Sequence, residues 1–134
     1  MTLVDTSIVV AAFASWHEHH SAADSEVDGT ARLVAHCAIE AFSVLTRLPP
    51  PHRVSGHLVR DFLAARFPDP YVGLDSAHYH GLIPRLVQLG ISGGAVYDAL
   101  IAETARAADD LLVSCDRRAA LVYERIGVTF RLIA

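Results

Sequence analysis

The chain of 134 residues is 52% hydrophobic and 19% charged, which predicts one globular domain over residues 1–134 and argues against disorder. Its net charge of −4 comes from fifteen acids and eleven arginines with no lysine, which excludes a P-loop phosphate clamp and a Schiff base. Two cysteines rule out a disulfide scaffold, and neither a signal peptide nor an apolar run of about 20 residues is recognisable. We therefore expect a soluble, cytoplasmic protein with no membrane segment.

The first half of the chain alternates short apolar runs with amphipathic segments. Thr2–Val4 is predicted to form a strand, and Ile8–Ala14 a helix capped by Thr6 or Ser7. The elements predicted next are a helix over His17–Val27, a brief strand over Ala31–Ala35 and helices over His36–Leu48 and Ser55–Phe67. The residues predicted to face the core are Ile39, Phe42 and Leu45 in the first of these last two helices and Leu58, Phe62 and Ala65 in the second.

The second half continues the alternation. The predicted elements are a strand over Tyr71–Leu74, a helix over Ser76–Leu89 ending at Gly90, a helix from Asp98 to about Ala108, a strand over Leu111–Ser114, a helix over Arg117–Ile126 ending at Gly127 and a strand over Val128–Leu132. Short apolar strands that alternate with helices are typical of a mostly parallel sheet covered on both faces. The pattern therefore predicts an α/β fold.

Four acids occupy positions where such a fold gathers its functional groups. Asp5 and Asp116 each follow a predicted strand, Asp98 begins a helix, and Glu40 lies within a mostly apolar helix. Each aspartate alone has a simpler explanation as a helix cap or a turn residue. Carboxylates gathered at one sheet edge repel one another unless a cation neutralises them, and an all-oxygen ligand set suits Mg²⁺ or Mn²⁺.

Four segments that contain these acids resemble the motifs of a known family. In chain order they are Leu3–Ser7, Ala38–Glu40, Tyr97–Ala102 and Leu112–Asp116. Together they resemble the PIN-domain ribonucleases, and within these the VapC toxins of bacterial VapBC toxin–antitoxin pairs. The resemblance implies a three-layer sandwich with a five-stranded, mostly parallel central sheet. It also implies a Mg²⁺-dependent endoribonuclease that inhibits translation.

The resemblance further assigns roles to single residues. Asp5 and Asp98 would be the principal metal ligands, and Glu40 and Asp116 would complete the acidic cluster. Ser114 would orient a carboxylate or a water molecule, and Thr6 would do the same for Asp5. The implied partners are an RNA substrate, a cognate VapB-type antitoxin and a second copy of the chain, with no nucleotide cofactor. Whether one or two metal ions bind stays open.

Two further groups of residues invite a functional interpretation. The segment Trp16–His20 contains three histidines, but it lacks a His-Glu-x-x-His motif, so a solvated segment at the rim of the site is favoured over a zinc centre. Four arginines, accompanied by two histidines, fall on or beside the two central helices and would either grip RNA phosphates or form a solvated face. These residues are Arg47, Arg53, Arg60 and Arg66, with His52 and His57.

Two alternative functions compete with the nuclease. A Mg²⁺-dependent phosphatase of the haloacid-dehalogenase kind also starts from a strand-end aspartate. It needs a second aspartate two residues later, where this chain has Ser7, and it uses a lysine, which is absent. A catalytically silent binding module that keeps the fold is compatible with the sequence.

Overall fold

The structure of the protein is a computed structural model that describes residues 1–133. The predicted domain spans residues 1–134, so its last residue, Ala134, lies outside the described residues. The described part contains four strands, β1 (Thr2–Val4), β2 (Arg32–Leu33), β3 (Leu111–Ser114) and β4 (Phe130–Leu132). Its seven helices are α1 (Thr6–Phe13), α2 (His20–Glu26), α3 (Ala35–Thr46), α4 (Gly56–Arg66), α5 (Ser76–Leu89), α6 (Ala95–Ala108) and α7 (Arg117–Ile126).

The four strands form one parallel sheet in the order β2-β1-β3-β4. In the two central strands Leu3, Val4, Leu112 and Val113 are fully buried, as expected when helices cover both faces of a parallel sheet. Because all strands run in the same direction, the residues after β1, β2 and β3 meet at one edge. The predicted α/β fold is confirmed.

The fifth strand predicted at Tyr71–Leu74 is reduced to a single parallel bridge between Val34 and Val72. The Val72 amide donates to the Leu33 carbonyl at 2.9 Å, and the Val72 carbonyl accepts from the Ala35 amide at 2.7 Å. Pro70, which has no amide hydrogen, precedes this stretch, and Asp75 already caps α5. The segment is therefore too short to extend the ladder.

Three predicted helix starts differ from the structure. Asp5, not Thr6 or Ser7, is the N-cap of α1, and its side chain accepts a hydrogen bond from the Ile8 amide. Helix α2 begins only at His20, because residues 15–19 form turns. Helix α6 begins at Ala95, so Asp98 lies within its first turn instead of opening it.

The core-facing stripes predicted for α3 and α4 are mostly wrong. In α3 only Leu45 of the predicted three residues is buried, whereas Ile39 is 74% exposed. The buried face of α3 consists of Cys37, Ala38, Ala41 and Leu45, and the small side chains of the first three allow a close approach to α1. In α4 the buried residues are Val59 and Leu63, while Leu58 and Ala65 are exposed and Phe62 is half-buried. Apolar residues on both faces of a helix make its inward face ambiguous in the sequence.

Among residues 1–133, no helix combines the length and the hydrophobicity needed to cross a lipid bilayer.

Candidate active site

Asp5 is the most buried acid at the sheet edge, with 2% of its surface exposed. One carboxylate oxygen, Oδ1, accepts hydrogen bonds from the Ser7 hydroxyl at 2.6 Å and the Ile8 amide at 3.3 Å. The other, Oδ2, accepts from the Tyr123 hydroxyl at 2.7 Å. Burial raises the pKa of Asp5, and hydrogen bonds from Ser114, Ser7 and Tyr123 oppose that rise. The surrounding hydrogen-bond donors thus offset part of the cost of burying this carboxylate.

Two serine hydroxyls connect the ends of β1 and β3. Ser114, fully buried, accepts a hydrogen bond from the Asp116 amide at 3.0 Å, and its Oγ lies 3.3 Å from Ser7 Oγ. Ser7 Oγ in turn accepts from the Cys115 amide at 2.9 Å. Ser114 therefore lies beside Asp5 and Asp116, as the sequence resemblance implies. The sequence did not predict that Ser7 joins this hydrogen-bond network, because its position suggested only a helix cap.

Glu40 is held at the cleft by Thr6 of α1 and by His36, one turn earlier on its own helix α3. The Thr6 hydroxyl donates to Glu40 Oε1 at 2.5 Å, and His36 Nε2 lies 3.4 Å from Glu40 Oε2. The His36 ring stacks on the ring of Tyr97, with centroids 5.3 Å apart and planes 4° from parallel. The expected contact of Thr6 with Asp5 is replaced by this contact with Glu40. Neither His36 nor Tyr97 was singled out in the sequence.

The pKa of Asp98 reflects the negative charge gathered at this edge of the sheet. Its pKa is raised to about 6, first by burial and then by the negative charges of Asp116, Glu40 and Asp5, while Arg118 opposes the shift. The structure thus brings the four predicted acids within electrostatic range of one another. Each comes from a separate part of the chain, so only the fold can explain their proximity.

Asp116 has a second, structural role. It is exposed and caps α7, with its Oδ1 accepting hydrogen bonds from the amides of Arg118 at 2.9 Å and Ala119 at 3.2 Å. The simple explanation of Asp116 as a helix cap is therefore true, and it is compatible with a place in the acidic cluster.

A cleft of about 430 Å³ opens at this edge of the molecule. The residues that line it are Thr6, Ser7, Val10, His17, Glu18, His19, Glu40, Cys115, Asp116, Arg117 and Arg118. Two of the three predicted histidines, His17 and His19, therefore lie at the rim of the site. His17 Nδ1 already accepts a hydrogen bond from the His19 amide at 3.0 Å, and His20 Nδ1 lies 2.9 Å from the Ala11 carbonyl oxygen.

The carboxylates have the donor chemistry that Mg²⁺ and Mn²⁺ prefer, because all their ligating atoms are oxygens. Within residues 1–133, however, no three Asp, Glu, His or Cys side chains are close enough together to hold a metal ion as they stand. Crowded negative charge of the kind that raises the pKa of Asp98 favours binding of a cation. The donor set thus fits a hard divalent ion in chemistry and charge, and binding one would draw the carboxylates closer together.

Comparison with known proteins identifies the family. The sequence profile of the PIN domain matches residues 2–125, which is most of the chain. The chain belongs to the PIN-domain family. This PIN domain is 45% identical over 133 residues to Ribonuclease VapC40 of Mycobacterium tuberculosis, a match that covers 99% of both chains. It is also 38% identical over 127 residues to Ribonuclease VapC27 of that species, covering 93% of this chain and 91% of the relative.

Two solved structures share the fold of this PIN domain, each with a TM-score of 0.68. One is the crystal structure of VapBC2 from Rickettsia felis bound to a DNA fragment from the VapBC2 promoter. The matched chain is 16% identical, and the match covers 99% of this chain and 98% of the matched chain. The other is FitAcB from Neisseria gonorrhoeae, which is 17% identical; the match covers 97% of this chain and 96% of the matched chain. At these identities the likeness shows the fold alone. The resemblance stated from the four motifs is confirmed by the family match and by the VapC relatives.

Tyr123 of this PIN domain was missed in the sequence because it lies at an apolar position of α7. It is 1% exposed, and a buried tyrosine usually needs a partner for its hydroxyl, which here is Asp5. We expect Tyr123→Phe to lower the free energy of unfolding by about 1–2 kcal/mol, because a buried carboxylate loses a donor. Urea denaturation in EDTA measures this, with Tyr79→Phe at an exposed position as the control. Equal stability of both variants would contradict the structural role.

Proposed function

We propose that this PIN domain is a cytoplasmic, Mg²⁺-dependent endoribonuclease that blocks translation as the toxin of a toxin–antitoxin pair. The observation that carries the proposal is the gathering of Asp5, Glu40, Asp98 and Asp116 at the carboxyl edge of a parallel sheet. The names of the two VapC relatives, both ribonucleases, support RNA as the substrate.

In this proposal Asp5 and Asp98 hold Mg²⁺ or Mn²⁺, and Glu40 and Asp116 complete the set of carboxylates. The chemistry that the bound ion supplies is neutralisation of phosphate charge and a lower pKa for an attacking water. Thr6 keeps the Glu40 carboxylate facing the cleft through its hydrogen bond. Ser7 and Ser114 fix the relative positions of Asp5 and Asp116, which belong to different strand ends.

The proposed partner is a VapB-type antitoxin, as the likeness to the VapBC2 structure suggests. An antitoxin segment that carries arginine would complement the acidic cleft. We further propose a homodimer, since Ile83 and Val87 of α5 expose 64% and 78% of their surface and leave an apolar strip open for a second copy. Sedimentation of the isolated protein at micromolar concentration tests the dimer.

Cleavage of total RNA by the purified, antitoxin-free protein tests the central proposal. We expect discrete fragments with Mg²⁺, none with EDTA, and none with Asp98→Asn in Mg²⁺, because the amide cannot supply the negative charge that holds the ion. Asp69→Asn, the same chemical change at an exposed bend after α4, is the matched control and should cleave normally. Cleavage that persists in EDTA, or equally in Asp98→Asn, would contradict the metal-dependent mechanism.

A further inference from the structure

Four aromatic rings form a continuous series that ends in the acidic cleft. His52, in the loop between α3 and α4, contacts Trp16, with ring centroids 4.4 Å apart. Trp16 is followed by His17 at 6.1 Å, and His17 by His19 at 5.7 Å. We call these four residues the aromatic rim. Its inner members, His17 and His19, line the same cleft as Glu40 and Asp116.

Core packing does not account for the aromatic rim. Trp16 leaves 54% of its surface exposed, and His52 is also exposed. A tryptophan held against a second ring while half of it faces solvent is well placed to stack on a planar ligand. Neither ring belongs to the hydrogen-bond network that fixes Asp5 and Glu40. The rim is thus separate from the groups that would hold the metal ion.

Arginines without carboxylate partners flank the aromatic rim. Arg53 follows His52 directly and donates to the Leu48 carbonyl at 2.9 Å, and Arg117 and Arg118 line the cleft. In the part of the chain that the structure describes, none of these three guanidinium groups lies within ion-pair distance of an acid. Their charge is available for phosphate groups.

The other predicted arginines differ in this respect. Arg60 pairs with Asp61 at 2.9 Å, and Arg66 pairs with Asp24 at 2.9 Å while also donating to the Val27 carbonyl. Arg66 thereby joins the end of α4 to the end of α2, whereas Arg60 pairs with the next residue of its own helix. Of the four arginines on or beside the two central helices, Arg47 and Arg53 are the nearest to His52 along the chain, and these two are free of ion pairs within the described residues.

We propose that the aromatic rim binds single-stranded RNA by stacking on its bases and so leads the strand into the acidic cleft. Unpaired bases stack on exposed aromatic side chains with little regard to sequence, and arginines beside such rings contact the backbone phosphates. Trp16 is the outer stacking residue, and His17 and His19 continue the path toward the carboxylates. The inference rests on the proposed ribonuclease function, to which it adds the residues that bind the strand outside the acidic cluster.

The sole tryptophan of the chain makes the proposal directly measurable. In EDTA, which suppresses cleavage, octauridylate should quench the fluorescence of Trp16, whereas an abasic ribose-phosphate octamer of equal charge should not. Fluorescence anisotropy of labelled octauridylate should show about tenfold weaker binding for Trp16→Ala and nearly normal binding for Trp16→Phe. Tyr71→Ala, at an exposed aromatic residue outside both the cleft lining and α5, should bind like the wild type.

The outcomes separate this inference from the nuclease proposal when RNA cleavage in Mg²⁺ is measured in parallel. Quenching by octauridylate without any cleavage by the wild type supports the rim while refuting the nuclease. Cleavage by the wild type with unchanged emission, or with equal affinity for Trp16→Ala, overturns the rim and leaves the nuclease standing. A change in Trp16 emission caused by a protein partner but not by octauridylate assigns this surface to protein binding and also overturns the proposal.

Discussion

Replacing Asp5 by asparagine is expected to lower the rate of metal-dependent RNA cleavage by roughly a hundred- to a thousandfold while the fold is kept. Asparagine has the same shape as aspartate. Its amide oxygen can accept from Ser7 and the Ile8 amide, and its amide nitrogen can donate to the Tyr123 hydroxyl. The variant therefore removes the charge and little else. Initial cleavage rates at saturating Mg²⁺ measure the loss.

The melting temperature of Asp5→Asn shows whether a loss of cleavage comes from the missing charge or from a loss of the fold. Because burial raises the pKa of Asp5, its ionised form is unfavourable in the folded, metal-free protein, so Asp5→Asn should melt in EDTA at the wild-type temperature or above it. Asp69→Asn is the control for the same substitution at an exposed site. A variant that is inactive because it is unfolded would show a clearly lower melting temperature.

Growth of bacteria that express the two forms distinguishes a nuclease from a catalytically silent binding module. The wild type should inhibit growth, and Asp5→Asn should not. Inhibition that survives the substitution would refute the nuclease and favour the binding module, since a module that only recruits a partner does not depend on one buried carboxylate.

The convergence of the acids could be predicted because it follows from topology. Asp5 and Asp116 each come directly after a strand, and parallel strands end at the same sheet edge, so chain position alone placed these two carboxylates together. Glu40 and Asp98 lie on helices, whose positions strand order does not determine. For these two the match to family motifs supplied the expectation, and the raised pKa of Asp98 supports it.

The contacts around those acids could not be predicted, because they depend on rotations of helices that the sequence pattern leaves open. Tyr123 reaches Asp5 across 118 positions in the chain, and Thr6 contacts Glu40 instead of its neighbour Asp5. Ile39 and Leu58 were expected in the core and are exposed for the same reason, since α3 and α4 carry apolar residues on more than one face. Small residues such as Ala38 decide which face packs closely.

Binding of Mn²⁺, used as a probe for the divalent site, is expected to weaken about tenfold for each pH unit below about 6. The pKa of Asp98 is raised to about 6, so below that pH a proton competes with the cation for this carboxylate. Burial also raises the pKa of Asp5, so protonation of Asp5 weakens Mn²⁺ binding in the same direction. Titration of Mn²⁺ at pH 5, 6 and 7 measures the dependence, which should be shallower in Asp98→Asn and unchanged in Asp69→Asn.

Stability without metal should depend on pH in the opposite sense from that of a salt-bridged aspartate. Between about pH 4 and pH 6 the folded protein binds a proton at Asp98 that the unfolded chain has released, so for this group stability rises as pH falls from 7 toward 4. Lowering the pH from 7 toward 4 in EDTA should therefore raise the melting temperature of the wild type relative to that of Asp98→Asn. At pH 7, saturating Mn²⁺ in place of EDTA should remove most of the difference in melting temperature between the two proteins. If the difference in melting temperature between the two proteins is constant at every pH, the pKa of Asp98 is not raised by burial and the neighbouring carboxylates, and the electrostatic basis for a cation site is lost.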